Sequence, residues 1–231
     1  DLIHECYIKF HCNTIGAEDE YGEGGVNNPG HALIDNVEVE IGGQMIDRQY
    51  GHFMEAHAEL TEQNYGGFCT AERILTVGAT NVADISPFQY TAGAGGVRVN
   101  TTTANLYVPL RFWFCRHVGL SLPLIALQYH EVNVNVTFSG AYSNISSDIE
   151  PQLWVNYIYL DTDERRRFAQ VSHEYLIEQV QIQEEGDSVS EYKLNFEHPV
   201  KELIWTSPTS STTSNTISTQ KIRLEINGHD R

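Results

Sequence analysis

Basic side chains are scarce in this 231-residue chain, which has 14 Lys+Arg against 31 Asp+Glu and a formal net charge of −17. A protein that coats nucleic acid needs lysine and arginine to neutralise phosphates, so that class is excluded. Long apolar runs are also missing: the stretch 120–127 contains Ser121 and Pro123, and a membrane-spanning helix needs about 18 apolar residues. Hydrophobic residues still make up 41% of the chain, which excludes a wholly disordered acidic protein.

Cysteine is rare and irregularly spaced, at Cys6, Cys12, Cys69 and Cys115, and no C-x-x-C pair occurs. So few cysteines in so long a chain do not indicate a disulfide scaffold. We expect reduced thiols that are mostly buried. The chain begins within one strand pattern and ends just after another, so we expect the natural polypeptide to be longer.

Familiar catalytic motifs are absent as well: the sequence has no G-x-S-x-G, no G-x-x-x-x-G-K-[ST] and no H-E-x-x-H. A metal cluster of His4, Cys6, His11 and Cys12 is the nearest alternative. No second pair of ligands has the spacing of a structural zinc site, so we expect structural roles for these residues. We therefore assign no catalytic, cofactor-binding or metal-binding residue.

Other polar groups are explained more simply by structure than by chemistry. His130-Glu131 borders a strongly alternating strand and is expected to be a hydrogen-bonded structural pair. An acidic loop lacks the spacing of an EF-hand and is expected to be solvated; its residues are Glu18, Asp19, Glu20 and Glu23. Three N-x-[ST] sequons are expected to be accidental, at Asn100, Asn135 and Asn144.

The dominant hydrophobic period is two. In 37–41 valine and isoleucine alternate with glutamate, and in 132–138 valine alternates with asparagine and threonine. Such alternation builds antiparallel strands with one buried face, and many strands with few helices predict a sandwich or barrel. Further strands are predicted at Leu2–Phe10, Leu106–Phe114, Leu153–Leu160, Tyr175–Gln183, Glu202–Trp205 and Ile222–Ile226.

One helix is predicted at Gly51–Gln63, where Phe53, Met54, His57 and Leu60 recur at three- and four-residue spacings. The segment Asn64–Asn105 is rich in glycine, threonine, alanine and asparagine. A connection of this length in a compact β domain indicates a surface excursion with a role in contacts.

A short sequence echo links the two ends of the chain. Val37–Gly43 (VEVEIGG) resembles Ile222–Gly228 (IRLEING), and each copy then reaches an Asp-Arg pair. An echo of seven residues is weak by itself, but it would suit two similar β domains in tandem.

The segment Leu122–Val132, LPLIALQYHEV, resembles the major capsid protein of nucleocytoplasmic large DNA viruses, of the phycodnavirus and iridovirus kind. Three other regions resemble the same family, in the family's order. These are Val37–Arg48, Leu160–Gln170 with His173–Gln179, and Asn195–Leu203. Together the motifs cover most of the chain. Asn64–Asn105 has no recognised counterpart, as expected for a variable surface insertion.

The resemblance implies an all-β double jelly roll, which consists of two antiparallel eight-stranded β-sandwiches. The first is expected to be nearly complete in this chain and the second truncated. Residues 1–168 would form the first jelly roll without its N-terminal strands, 169–173 a connector, and 174–231 the N-terminal part of the second jelly roll.

The resemblance also implies a structural protein and no enzyme. Three copies would form a homotrimer of pseudo-hexameric outline, and these capsomers would tile an icosahedral shell. Its partners would be neighbouring capsomers and minor capsid proteins, with an inner viral membrane close by and no direct contact with nucleic acid. It would reside in the virion after assembly in the host cytoplasm, and Asn64–Asn105 would supply trimer contacts or an outward tower.

Two alternatives come from other functional classes. A carbohydrate-binding β-sandwich module would use tyrosine, present at 12 positions, and tryptophan, present at three, as a sugar platform. Most of these aromatics fall in alternating strands, where we expect core packing. A β-sandwich glycosidase would need two carboxylates; Glu55 and Glu59 share one helical face, but no opposing carboxylate can be assigned.

Overall fold

The computed structural model describes residues 1–12, 28–62, 86–95, 104–139, 151–184, 193–205, 223–226 and 229–230. The chain divides into two compact units, Asp1–Phe196 and Glu197–Arg231. Antiparallel strands dominate the first unit, as the period-two pattern predicts. Among the described residues, no helix is long and apolar enough to cross a membrane.

The first sheet is organised around β1 (Leu2–Cys12). β4 (Ala104–Pro109) and β5 (Leu122–Pro123) pair with one edge of β1, and β7 (Gln152–Ile158) pairs with the other. All three pairings are antiparallel. Because β1 has neighbours on both edges, it is the strand that holds this sheet together.

The second sheet has the order β3-β2-β6. Its strands are β2 (Ile34–Ile41), β3 (Gln44–Tyr50) and β6 (Val132–Phe138). Only Gly42 and Gly43 separate β2 from β3, and both have positive φ, at 62° and 81°. Two-residue hairpins of this kind favour glycine at both central positions, because residues with a Cβ rarely adopt positive φ.

One apolar core lies between the two sheets. Along β1 the side chains of Cys6, Ile8 and Phe10 are fully buried, while Tyr7 and Lys9 point to the opposite face. The second sheet contributes fully buried valines at 37 and 39, and the Phe10 and Phe138 rings meet edge to face at 6.4 Å between centroids. Burial of each large side chain contributes about 1.5–3 kcal/mol, so this core is the main source of stability.

In the described part of the chain, five short helices connect the strands, together with a 3-10 turn at Val118–Leu120. They are α1 (Pro29–Ala32), α2 (Gly51–Thr61), α3 (Pro87–Ala92), α4 (Trp113–Arg116) and α5 (Thr162–Gln170). The helix predicted at Gly51–Gln63 is confirmed as α2, which ends at Thr61. Most of the predicted excursion Asn64–Asn105 lies outside the described residues, and α3 is the helix seen within it.

Helices α3 and α5 were not predicted, although each has a capping signal in the sequence. Ser86 accepts the amide of Gln89 at 3.2 Å, and the Gln89 side chain accepts the amide of Ser86 at 3.1 Å. Asp161 accepts the amides of Asp163 and Glu164 at 3.0 and 2.9 Å. Both are N-terminal caps of the kind that favours helix initiation.

Four of the predicted strands are confirmed, and their observed bounds are those of β1, β2, β6 and β7. The strand predicted at Leu106–Phe114 is wrong beyond Pro109, because the chain turns into α4 there. Phe112, Trp113 and Phe114 are all buried. Phe112 is extended at the N-cap and Trp113 and Phe114 lie in the helical turn, so the chain changes direction and all three side chains are buried, whereas a continuous strand would point every second one away.

The strand predicted at Tyr175–Gln183 is extended but forms no ladder. Its hydrogen bonds to β3 each involve a side chain, from Gln179 to the Ile46 carbonyl and from the Val180 amide to Asp47, whereas a ladder needs bonds between two backbones. In the second unit, Glu202–Trp205 likewise forms no strand. The strand predicted at Ile222–Ile226 is shortened to β8 (Glu225–Ile226), which pairs with β9 (His229–Asp230).

The sequence echo corresponds to a structural one. In the first unit Ile41 pairs with Gln44 across a two-residue turn, and in the second unit Ile226 pairs with His229, again with two residues between them. The matched segments therefore form the same kind of hairpin in both units.

The close packing at Gly51 yields a prediction for stability. A Cβ at this position would lie 2.1 Å from the carbonyl oxygen of Ile34 and 2.3 Å from that of His31. Alanine is the better helix former by about 1 kcal/mol, but backbone atoms cannot move aside cheaply, and overpacking costs about 1–3 kcal/mol. We expect Gly51→Ala to lower the free energy of unfolding in urea titrations.

Gly119→Ala is the matched control, since a Cβ there approaches only the His117 side chain, at 3.1 Å. Its unfolding midpoint should stay close to that of the unmodified protein. A Gly51→Ala protein as stable as the Gly119→Ala protein would contradict the packing at the start of α2.

Candidate functional site

The candidate metal ligands of the sequence are used in other ways. His4 Nδ1 lies 3.1 Å from the carbonyl oxygen of Phe114, and His11 Nδ1 lies 3.1 Å from Asn105 Oδ1. Cys6 belongs to the apolar core, and the side chain of Cys12 is outside the described part of the chain. Within the described residues, no three histidine, cysteine or acidic side chains are grouped to hold a metal ion.

Glu55 acts as a structural clamp. Its carboxylate lies 2.6 Å from His31 Nδ1 and accepts hydrogen bonds from Asn28 Nδ2 at 2.8 Å and the Gly95 amide at 3.0 Å. It therefore ties α1 and α2 to the turn after α3. Glu59, the other carboxylate considered for glycoside hydrolysis, is exposed. The hydrogen bonds of Glu55 account for its position without a catalytic role.

The His130-Glu131 pair supports the β2–β3 hairpin. The Glu131 carbonyl accepts the amide of Gly42 at 2.8 Å, and the His130 ring lies against the same glycine. Asn135 is exposed on β6, and its amide approaches Glu40 at 3.4 Å. The other two sequons and the acidic loop lie outside the described residues; these are Asn100, Asn144, Glu18, Asp19, Glu20 and Glu23.

The outward side of the first sheet bears a group of aromatic side chains. We call Tyr7, Lys9, Tyr107 and Trp154 the outer aromatic face. Tyr107 and Trp154 meet edge to face across β1, with ring centroids 5.5 Å apart, and the Lys9 ammonium lies 5.4 Å from the Trp154 ring centroid. Trp154 is 49% exposed, and an exposed aromatic cluster of this size indicates a contact surface.

A groove of about 760 Å³ adjoins the outer aromatic face. Arg111 lies in its wall, forms an ion pair with Glu62 and stacks over Phe88 at 5.6 Å from the ring centroid. The groove is thus lined by both aromatic and charged side chains, which suits either a protein surface or a planar polar ligand.

Glu5 organises the polar side of this surface. Its carboxylate accepts hydrogen bonds from the Tyr7 hydroxyl at 3.0 Å and from Asn156 Nδ2 at 2.7 Å. Burial, followed by the hydrogen bond to Glu5, raises the pKa of Tyr7 to about 12. Tyr7 therefore remains a neutral hydrogen-bond donor throughout the physiological range.

The expectation that the aromatic residues serve the core is wrong for three members of this face. Tyr7 and Tyr107 are on the opposite side of their strands from the buried residues, and Trp154, the cross-strand partner of Tyr7, is half exposed beside them. The sequence holds a usable signal, because Tyr7 alternates with Cys6 and Ile8, and Tyr107 with Leu106 and Val108. A tyrosine between two aliphatic residues of one strand must face the other way.

A second contact region lies where the extended segment 174–184 crosses the first sandwich. Asp47 on β3 is only 2% exposed, and its Oδ1 accepts the amide of Val180 at 3.0 Å. Arg116 forms an ion pair with Glu178, and the Gln179 side chain donates to the carbonyl of Ile46. The segment is thus fastened to the edge of the second sheet by polar contacts.

Apolar side chains on the same segment remain uncovered. Leu176 is 90% exposed, and Ile177 and Ile182 are partly exposed. Exposed apolar side chains on one segment offer a surface on which another element can pack.

Comparisons with known proteins place the whole chain among viral shell proteins. Residues 1–161 match the family model "Major capsid protein N-terminus", and residues 164–231 match "Large eukaryotic DNA virus major capsid protein". The major capsid protein of Pyramimonas orientalis virus is 43% identical over 239 residues, covering 100% of this chain and 56% of that protein. That of Paramecium bursaria Chlorella virus 1 is 36% identical over 224 residues, covering 89% and 46%.

Similarity of structure agrees with similarity of sequence. The quasi-atomic model of the PBCV-1 virus capsid superposes with a TM-score of 0.57 at 34% identity, covering 78% of this chain and 40% of that one. The predicted double jelly-roll fold is therefore confirmed, with this chain forming part of it. The chain spans about half the length of the curated relatives just described.

Buried Asp47 yields a prediction for the pH dependence of stability. Burial raises the pKa of this carboxyl above its ordinary value, while the Val180 and Gln49 hydrogen bonds oppose the rise. Because the folded-state pKa is the higher one, ionisation of Asp47 costs stability at neutral pH, and this cost disappears as the pH falls through the raised pKa. Asp47→Asn retains an oxygen for the Val180 amide without the charge.

We expect the free energy of unfolding of Asp47→Asn, relative to the unmodified protein, to be most favourable near pH 7 and to decline towards pH 4. Urea titrations across that range measure it. Glu59→Gln, which removes an exposed carboxylate, controls for the general effect of net charge. A relative stability of Asp47→Asn that increases on acidification would overturn the assignment.

Proposed function

This chain belongs to the major capsid protein family of large eukaryotic DNA viruses, and from this premise we propose that it is the structural subunit of an icosahedral shell. Three copies form a homotrimer of pseudo-hexameric outline, and these capsomers tile the lattice. The observation on which the proposal rests is the ordered match of two capsid-protein models over 1–161 and 164–231. A subunit of this kind has a structural role and is no enzyme.

We propose that residues 1–168 form the first jelly roll, 169–173 the connector, and 174–231 the opening of the second. The two family models meet between residues 161 and 164, close to this division. The repeated hairpin, at Ile41–Gln44 and Ile226–His229, also favours two similar sandwiches. On this division, the exposed apolar residues of 174–184 belong to the core of the second jelly roll.

The outer aromatic face is our candidate for contact between subunits. Tyr107 and Trp154 offer broad apolar surfaces, and Arg111 and Lys9 lie beside them. Aromatic and arginine side chains are the residues that dominate the energetics of protein interfaces. The predicted role of Asn64–Asn105 in trimer contacts remains a further proposal, since most of that segment lies outside the described residues.

The remaining partners follow from the same premise. Neighbouring capsomers and minor capsid proteins would contact the trimer, an inner viral membrane would lie close by, and assembly would take place in the host cytoplasm. The net charge of −17 supports a shell without direct contact to the genome, because phosphates repel an acidic surface. The same charge would keep unassembled capsomers apart and soluble.

One observation also favours a second function, carbohydrate binding. The outer aromatic face combines exposed rings with the polar groups of Asn156 and Glu5, and it adjoins a groove. Sugars stack on such rings and hydrogen-bond at their edges. The shell remains the better supported reading, because the family match spans both parts of the chain.

Substitution of the outer aromatic face separates the two functions. We expect the unmodified protein to sediment as a trimer. The double variant Tyr107→Ser/Trp154→Ser should need a protein concentration at least about tenfold higher to form trimers, because loss of interface aromatics weakens association. Analytical ultracentrifugation measures the change. Tyr129→Ser is the matched control, since Tyr129 is 89% exposed and lies apart from this face.

A protein that stays monomeric at every concentration would contradict the shell proposal. Glycan-array binding by the unmodified protein that is lost in Trp154→Ser, without any change in oligomeric state, would favour the carbohydrate-binding alternative.

A further inference from the structure

The ammonium group of Lys9 is held within the outer aromatic face. Lys9 has Tyr107 on β4 and Gln152 on β7 as its cross-strand partners, and its ammonium lies 5.4 Å from the centroid of the Trp154 ring. At this distance the π-electrons of an indole attract a cation. The Lys9 side chain is also partly buried, so its charge occupies a defined position on the outward side of the first sheet.

The Trp154 ring that attracts this ammonium is itself fixed by two neighbours. Its Nε1 donates a hydrogen bond to Gln152 Oε1 at 3.1 Å, and the Tyr107 ring meets it edge to face at 5.5 Å between centroids. Trp154 nevertheless remains 49% exposed. The ring and the ammonium are therefore in place before any partner arrives, which reduces the entropy lost on binding.

Lys9 differs from most basic residues in the described part of the chain, because no carboxylate there forms an ion pair with it. Glu5 lies on the same side of β1, but it accepts hydrogen bonds from Tyr7 and Asn156. Six arginines do form ion pairs with carboxylates, namely Arg48, Arg111, Arg116, Arg165, Arg166 and Arg223. In a chain with 31 acidic and 14 basic residues, an ammonium without an acidic partner is the exception.

We propose that Lys9, held against Trp154, receives a surface carboxylate from a second copy of this chain when subunits associate. The inference rests on the proposed role of the outer aromatic face in subunit contact, and it names what that face binds. Charge complementarity selects the partner, since acidic residues outnumber basic ones by more than two to one in every copy. A closed ring of three copies joins unlike surfaces, so the carboxylate belongs to a different part of the neighbouring copy.

This pairing would give the subunit contact its specificity. Two copies that each carry a net charge of −17 repel one another, and apolar rings alone tolerate many relative orientations. A carboxylate that meets an ammonium at a defined position selects one orientation and offsets part of the repulsion. Arg111 is less suited to this role, because its guanidinium is already paired with Glu62.

The first test compares the unmodified protein with Lys9→Gln by analytical ultracentrifugation. A loss of about fivefold at each contact is the size expected for a partly exposed ion pair. A closed trimer contains three such contacts, so the protein concentration at which half of the chains are in trimers should rise about tenfold at about 0.05 M salt. The difference between the two proteins should largely disappear at about 0.5 M salt, where charges are screened.

Two further variants separate the pairing from the general effect of charge. Lys193→Gln removes the same charge from an exposed lysine outside the outer aromatic face, and it should assemble like the unmodified protein. Lys9→Arg retains the cation and should assemble nearly as well as the unmodified protein. Equal weakening by Lys193→Gln and Lys9→Gln would overturn the inference.

Cross-linking of the unmodified protein gives an answer that does not depend on how any variant folds. A water-soluble carbodiimide joins an amine to a carboxylate that touches it, and trimers mixed from isotope-labelled and unlabelled copies distinguish links between copies from links within one. We expect mass spectrometry to find the Lys9 peptide joined to an acidic peptide of another copy.

Links from Lys9 only to acids of its own copy, such as Glu5, would overturn the inference, and so would trimers in which Lys9 is not linked at all. These results would leave the proposed shell function standing. A protein that never associates would overturn both the proposed function and this inference.

Discussion

Burial of one side of β1 between two sheets is the interaction on which the rest of this structure depends. Cys6, Ile8 and Phe10 enter the core, and the three other strands of the first sheet pair with the edges of β1. Because side chains alternate along a strand, the orientation of β1 that places Cys6, Ile8 and Phe10 in the core directs Tyr7 and Lys9 outward. The core and the outer aromatic face are therefore two consequences of one pattern, and a change of register by one residue would destroy both.

The attachment of the extended segment 174–184 depends on a buried pair of polar side chains, Asp47 and Gln49, on the inner face of β3. Asp47 shares its side of the second sheet with Val39, its cross-strand partner, and is buried. Its burial is tolerated because Val180 and Gln49 donate hydrogen bonds to it. The hairpin that presents Asp47 recurs in the second unit at Glu225–Asp230, which agrees with a subunit built from two related sandwiches.

Hydrophobic periodicity in the sequence predicted individual strands and helices well. The alternation in 132–138 predicted β6 with its observed bounds, and the spacing in Gly51–Gln63 predicted α2, which ends slightly earlier at Thr61. The resemblance to viral capsid proteins, which the comparisons confirm, supplied the double jelly roll, because strand pairing between distant segments leaves no local trace. The strand predicted at Leu106–Phe114 is wrong beyond Pro109 for a tertiary reason: a continuous strand cannot bury Phe112, Trp113 and Phe114 on one face.

The candidate site was harder to predict than the fold. Alternation indicates that Tyr107 faces away from Leu106 and Val108, but its contact with Trp154 across β1 follows only from the assembled sheet. The same holds for the hydrogen bond that Asp47 accepts from the Val180 amide. Each joins segments far apart in sequence, and composition and periodicity carry no information about such meetings.

The central claim is that one side of the first sheet is buried within the subunit, whereas the other side becomes buried only when subunits assemble. Hydroxyl-radical footprinting, read by mass spectrometry on dilute and assembled protein, tests it through two tryptophans. Trp113, which is 4% exposed, should be protected in both samples, and Trp154, which is 49% exposed, should be labelled in dilute protein and protected after assembly. Equal labelling of Trp154 in the two samples would contradict the account.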